Sequence, residues 1–347
     1  MGTVGVIANP NAGKDIRRLV AHASPTSDAA KIGIIRRALL GAVEGGATSI
    51  VLAPDSHSLT ARALEDLEID VPVKMLDERV EGRASDSTRM AERMQDADVG
   101  AIIVLGGDGT NRDVIKGWLD ATLMPISTGT NNVFPRLIEA TLAGIAAGLV
   151  ACGAVALSVA CDRADVIHVD YRDGSPSEMA LVDVAVLDAR FTGSRAIWDG
   201  SLLRAIVCCI AEPATVGLSS LAGVLAPVSR TEIGGVLVRM ARPRQVASSA
   251  AGGVPTSAPP PLPARTVRAP LAPGMFVDVR WTWVEHVDEG QEIELYGPGV
   301  LSFDGERDQI LAPDGVAIAT IRRDGPHVID PVRTMAAAAK ARRFDRS

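Results

Sequence analysis

Four short, mostly apolar runs, at residues 3–8, 49–53, 71–76 and 99–105, dominate the first third of the chain. Between them lie segments of helical character. Ile32, Ile35 and Leu39 fall three and four apart on one helical face, and helices are expected near 59–66 and 86–94. Strands without polar alternation, separated by amphipathic helices, bury both faces of a sheet. That pattern predicts an α/β N-terminal domain with a parallel sheet over 1–152. A chain of 347 residues has room for a second domain, and from about residue 153 the pattern changes. Val166–Val169 and Met179–Leu187 read as strands, and Asp-Gly pairs recur at 304–305, 314–315 and 324–325. Asp-Gly between apolar runs signals hairpins, so 153–330 is expected to be a β-rich antiparallel C-terminal domain. A helical insertion is expected near 199–225, centred on Asp199–Cys209. The stretch 241–274 holds eight prolines and reads as a flexible excursion. Pro331–Phe344 reads as a short helix, with 331–347 a candidate to complete the first domain.

The formal charge of −7 leaves no electrostatic footprint for nucleic acid. Cys152, Cys161, Cys208 and Cys209 show no Cys-x-x-Cys spacing and lie in apolar runs, so they are expected to be reduced core residues of a cytoplasmic protein. The N-terminus has no basic leader or signal-peptide core. Ala140–Cys161 carries no charge over 22 residues, long enough to span a bilayer. The preferred reading is a buried helix stopped by Gly153 and followed by a strand at Val155–Ala160; a membrane-bound lipid enzyme is the alternative. The five histidines, at 22, 57, 168, 286 and 327, have no metal-ligand spacing. Ser56-His57-Ser58 lacks the nucleophile motif of a hydrolase.

Three segments carry chemistry. Gly106-Gly107-Asp108-Gly109-Thr110 joins an apolar strand to a helix whose face holds Val114, Ile115, Trp118 and Leu119. Glycines let backbone N–H groups approach an anion, and the helix start adds free donors and a favourable dipole. A carboxylate in such a cradle makes chemical sense if it meets Mg²⁺ or takes a proton from an attacking hydroxyl. Pro125-Ile-Ser-Thr-Gly-Thr-Asn-Asn132 repeats the arrangement, with a helix expected to open near Phe134-Pro135. Thr128, Gly129, Thr130 and Asn131 there can meet phosphate or ribose. Asn9-Pro10-Asn11-Ala12-Gly13-Lys14 follows the first strand. It lacks the opening glycine of a Walker A loop and has Asp15 after the lysine; it is either a phosphate contact or a plain turn. All three would lie at strand C-terminal ends, where open parallel sheets bind ligands.

Together these segments resemble the superfamily that joins NAD kinases with diacylglycerol and sphingosine-type lipid kinases. The carriers are Gly-Gly-Asp-Gly-Thr at 106–110, Asn-Pro-x-x-Gly at 9–13 and Gly-Thr-Asn at 129–131. Gly109–Val114 together with Ile126–Pro135 looks most like the acetoin catabolism protein X branch, and Ala196-Ile-Trp198 and Ala211-Glu-Pro213 through Gly217-Leu-Ser219 look similar to it as well. The resemblance implies ATP in a cleft between an α/β and a β-rich domain, Mg²⁺, and phosphoryl transfer to a hydroxyl. It implies a catalytic and metal role for Asp108, nucleotide contacts from Asn9, Gly13, Gly106, Gly107, Gly109, Thr110, Thr128, Gly129, Thr130 and Asn131, and a metal role for Asp304. Asp304-Gly305-Glu306 matches an Asp-Gly-Glu of lipid kinases, so Glu306 is either catalytic or part of an ordinary turn. Asn111-Arg112-Asp113 stands where NAD kinases have apolar or small residues. Arg112 is expected either to reach a phosphate or, the preferred reading, to sit solvated, and Asp113 to cap the helix or face the cleft. The function expected is an ATP- and Mg-dependent kinase acting on a small-molecule hydroxyl, NAD or a related compound, in a homo-oligomer without nucleic-acid or membrane partners. The alternatives are a nucleotide-binding accessory protein without turnover and a lipid kinase.

Overall fold

The structure is a computed structural model that describes residues 2–12, 26–129, 131–192, 197, 199–241 and 263–345. The first sheet holds β1 (Thr3–Ala8), β2 (Ser49–Leu52), β3 (Val73–Met75), β4 (Ala101–Gly106), β5 (Thr122–Ser127), β6 (Cys161–Arg163) and β18 (His327–Ile329). Their order is β3-β2-β1-β4-β5-β18-β6. All pairs are parallel except β18 with β6. Strand order reverses between β1 and β4, which makes that edge a topological switch point. Its helices are α1 (Asp28–Glu44), α2 (Leu59–Leu64), α3 (Ala84–Asp96), α4 (Asp108–Gly117) and α5 (Ala140–Ala151). A one-turn helix, α6 (Leu157–Ala160), follows.

The alternation of side chains along β1 shows why both faces are covered. Val4, Val6 and Ala8 join the core under α1 and α5, while Ile7 joins the opposite core with Val114 and Ile115 of α4. The charge-free stretch after residue 140 is accounted for by this packing. Cβ atoms built on Gly41 and Gly45 of α1 would fall 2.2 and 2.3 Å from carbonyl oxygens of α5, and those on Gly144 and Gly148 would fall 2.1 and 2.3 Å from carbonyls of α1. Small residues let two helix backbones touch. Gly153 stops this helix with a φ of 72°, as expected. No helix among the described residues is long and apolar enough to cross a membrane. The strand expected at Val155–Ala160 is instead α6, whose Val159 and Ala160 amides donate to Ala156; β6 starts at Cys161.

The rest of the chain forms two antiparallel sheets. One runs β12 (Arg265–Ala272), β13 (Met275–Val287), β11 (Gly235–Met240), β10 (Leu203–Cys208), β9 (Asp183–Leu187), β15 (Gly299–Phe303), β16 (Glu306–Leu311). The other runs β14 (Glu292–Tyr296), β17 (Val316–Arg322), β7 (Val166–Tyr171), β8 (Glu178–Ala180). A short helix, α7 (Leu218–Gly223), packs on the first of these, and α8 (Pro331–Lys340) returns to pack on α5 and α6. The chain crosses from the first sheet to the others at 163–166 and returns at 322–327. These crossings are hydrogen-bonded to each other, Ala164 to Pro326 and Gly325 to Ala164.

Several expectations for this half are corrected. Met179–Leu187 is two strands, β8 and β9, in different sheets. Residues 203–208 form β10 after a 3-10 turn at Gly200–Leu202, and the helix lies further on at α7. Of the Pro-rich stretch, 242–262 lie outside the described residues, but Arg265–Ala272 is β12. It sits at a sheet edge, where a proline such as Pro270 does no damage to a ladder. Only one Asp-Gly pair, 304–305, closes a hairpin, between β15 and β16. The pairs at 314–315 and 324–325 precede strands of other sheets. Cys152 is exposed rather than in the core; Cys161, Cys208 and Cys209 are buried, and all four thiols are free.

Candidate active site

A cavity of about 560 Å³ opens at the C-terminal ends of β1 to β5. It is lined by Asn9–Ala12 after β1, Ala53–Ser56 after β2, Gly82–Ala84 after β3, Gly107–Thr110 after β4, and Gly129, Asn131 and Asn132 after β5. The second half contributes Pro273, Asp304 and Glu306. The segments expected to form a phosphate cradle therefore converge. Asn9 Nδ2 donates to Thr110 Oγ1 at 2.9 Å across the switch point. Glycine is needed twice here for close approach. A Cβ on Gly106 would fall 2.5 Å from the Thr110 side chain, and one on Gly107 would fall 2.8 Å from Asn132 Oδ1. A Cβ on Gly109 would lie 3.3 Å from Glu306 Oε1, so Glu306 sits over the first turn of α4 although it is almost 200 residues away.

Asp108 is the first residue of α4. Its carboxylate accepts from Val133 N at 3.0 and 3.1 Å and from Phe134 N at 2.8 Å. The helix expected to open near Phe134-Pro135 is absent. Helix α5 starts only at Ala140, capped by Glu139. Asp108 also borders a second, much smaller cavity of about 20 Å³, shared with Asn131, Val133, Ile197, Leu218, Leu271 and Asp304 among others. Asp108, Asn131 and Asp304 line both spaces.

The remaining predicted residues fare differently. Gly129 and Asn131 line the main cavity, whereas Thr128 is buried and does not. Gly13 and Thr130 lie outside the described residues, as do Lys14, Asp15 and most of Ala196-Ile-Trp198. Asp304 borders the cavity but its carboxylate is committed to the fold. Oδ1 accepts from Leu181, Val182 and Asp183 amides at 3.0, 2.8 and 3.4 Å. These are the amides freed where β8 gives way to β9, so Asp304 stitches that break while bordering the cavity. Burial pushes the Asp304 carboxyl up, against the pull of the Arg112 charge and these amides. Arg112 is not solvated. Its side chain is 5% exposed, 3.7 Å from Asp308, donates to the Phe303 carbonyl at 2.9 Å and lies 5.7 Å from that ring's centroid. Asp113 faces the cavity, and burial raises it from 3.8 to about 6, against the charges of Arg112 and Lys116.

Sequence reasoning missed four contributors. Asp55 accepts from the His57, Leu59 and Thr60 amides and so caps α2 at the rim. Asp86 accepts from Glu81, Gly82 and Arg83 amides and fixes the loop after β3. Each precedes or opens a helix in a turn-rich stretch, a capping signal legible in principle. Lys31 is 0% exposed, and its amine donates to the Pro10 carbonyl at 2.5 Å, beneath the first loop. The fourth is Arg230, which reaches the loop of Val133 and Phe134. Nothing local marks either cation.

The lining is acidic: Asp55, Asp86, Asp108, Asp113, Asp304 and Glu306, with Arg83 as a cation among the described residues. Bare polyphosphate is repelled by such a wall, so an anionic ligand needs divalent counter-charge. Mg²⁺ binds through one or two carboxylates plus phosphate and water oxygens. No group of three or more His, Cys, Asp or Glu that could hold a metal ion occurs among the described residues.

Residues 56–167 match the diacylglycerol kinase catalytic domain, and residues 165–324 match the acetoin catabolism protein X C-terminal domain. A curated protein of Cupriavidus necator, acetoin catabolism protein X, is 33% identical over 348 residues, covering 97% of this chain and 92% of that one. Two solved structures described as "a putative diacylglycerol kinase from Bacillus anthracis str. Sterne" align over 94% and 95% of the chain, and 98% of theirs, at 14% and 15% identity with TM-scores of 0.41 and 0.44. The domain matches and the full-length relative agree with the loops that meet around the cavity. The chain belongs to the acetoin catabolism protein X family, a branch of the NAD kinase and lipid kinase superfamily.

Proposed function

We propose that the protein is a phosphotransferase that takes the γ-phosphoryl group of Mg-bound ATP and passes it to the hydroxyl of a small molecule, NAD or a related compound. The observation that carries this reading is the position of Asp108 in the lining of the main cavity, at the start of a helix whose first turn faces that space beneath Glu306. Backbone donors of Gly107, Gly109 and Thr110, with Asn9 and Asn131, hold the phosphates. Glu306 and Asp113 face the same space and would hold the metal, which when bound neutralises charge on the transferring phosphate. The acceptor oxygen forms a bond to the γ-phosphorus as the bond from that phosphorus to the β–γ bridging oxygen breaks. The hydroxyl proton passes to Asp108, and ADP leaves. The Val133 and Phe134 amides fix the Asp108 carboxylate in orientation. Rate comes from alignment and charge stabilisation.

Labelled ATP presented with a panel of hydroxyl compounds, NAD first, tests this directly. Asp108→Asn should bind Mg-ATP and lose at least about 100-fold in transfer. Full transfer by that variant refutes the role. A second reading, a nucleotide-binding accessory protein, is favoured by the same amide contacts, because they tie the acid down. Calorimetric binding of ATP with no product from any acceptor would establish it, and transfer only in the presence of liposomes would point to a lipid acceptor.

A further inference from the structure

We infer that Arg230, braced by Glu212, is a positioning residue that sets the orientation of Asp108 from the opposite half of the molecule. The guanidinium donates from Nη1 to the Phe134 carbonyl at 3.2 Å and from Nη2 to the Val133 carbonyl at 2.9 Å. The amides of these same two residues hold the Asp108 carboxylate. One dipeptide is therefore gripped on both sides, by an acid through its N–H groups and by a cation through its C=O groups. Polarised in this way, each peptide unit strengthens its neighbour's hydrogen bonds.

The far end is equally fixed. Glu212 accepts from Arg230 Nε at 3.2 Å and Nη2 at 3.3 Å, a two-point contact that matches the guanidinium fork. Glu212 and Arg230 are brought side by side by the bridge between Ala211 and Val228. Ser219 at α7 donates to Ile210 O and receives the Glu212 amide. This gives a physical purpose to Ala211-Glu-Pro213 and Gly217-Leu-Ser219. Beyond Arg230, the Gly234 amide is held by Asp165, which pairs with Arg323 at 2.7 Å. The Arg230 and Glu212 side chains are 21% and 25% exposed, so water competes with their pairing only in part. A strut held at both ends transmits position, and a carboxylate displaced by about 1 Å from a reacting hydroxyl loses about 100-fold in rate.

This inference rests on the phosphotransferase reading, and the experiment separates the two. Arg230→Met, Arg230→Lys and Glu212→Gln are made in the full chain. Amide hydrogen exchange without nucleotide reads the strut. Val133 and Phe134 should exchange about tenfold faster or more in Arg230→Met, while amides of α5 keep their rates. Turnover reads the positioning. In Arg230→Met, kcat should fall about 100-fold with the dissociation constant of Mg-ATP within about threefold, and Arg230→Lys should recover part of it. Unchanged exchange at both amides overturns the strut. Faster exchange with unchanged kcat overturns its role in the reaction. If the parent protein transfers nothing to any acceptor, the phosphotransferase reading fails, and the exchange rates alone decide whether Arg230 holds the loop.

Discussion

Replacing Asp304 separates a structural carboxylate from a metal ligand. The residue is 6% exposed, and three backbone amides point at its Oδ1 where the chain passes from β8 to β9. In Asp304→Ala the two shorter of these, from Leu181 and Val182, lose their acceptor in the interior. An unmade buried hydrogen bond costs about 1–3 kcal/mol. Alanine at the Asp304 φ of 51° adds about 1 kcal/mol of backbone strain. The sum is about 3–7 kcal/mol, a large share of the stability of an ordinary domain. Asp304→Asn behaves differently. Its carbonyl oxygen can take the place of Oδ1, asparagine tolerates left-handed backbone, and the buried charge is gone. A change within about 1 kcal/mol is expected. Urea unfolding with a constant m-value measures both. Equal losses in the two variants would show that the negative charge, and not the acceptor geometry, matters there. A small loss in Asp304→Ala would refute the amide account altogether.

Gly148→Ala should destabilise the protein by about 2 kcal/mol or more despite the better helix propensity of alanine, because the new methyl would lie 2.3 Å from the Ala42 carbonyl oxygen; a thermal unfolding scan reads it, and an unchanged Tm would contradict the helix contact. Asp113 has a folded value raised from 3.8 to about 6, so the folded state holds more protons between those limits and stability falls as pH rises through that window. Asp113→Asn should remove this slope, gaining up to about 3 kcal/mol at pH 8 and nothing below about pH 4; denaturant titrations at the two pH values settle the sign.

The first sheet was legible because its strands are continuous and local. Val99–Leu105 and the turn at 106–110 carry their own signal, and the cavity forms where open parallel sheets place it. What escaped depended on distant partners. The burial of Arg112 depends on Phe303 and Asp308, which no window around residue 112 contains. The split of Met179–Leu187 depends on Asp304, more than 100 residues away, taking three amides. Strand β12 was hidden by Pro270, a residue that forbids an inner strand but suits an edge. The first two cases turn on contacts at long sequence separation, and the third on a strand's place at the edge of its sheet.

The two hydrogen-bonded crossings at Ala164 and Gly325–Pro326 have a mechanical consequence. Side by side, the two tethers fix how the sheets face each other, and they do not act alone. Arg112, Lys116 and Arg230 reach across to the opposite half, and one apolar core runs through both. The station of Glu306 above Gly109 is therefore set by the whole seam, so a change at either crossing should be felt at the cavity mouth.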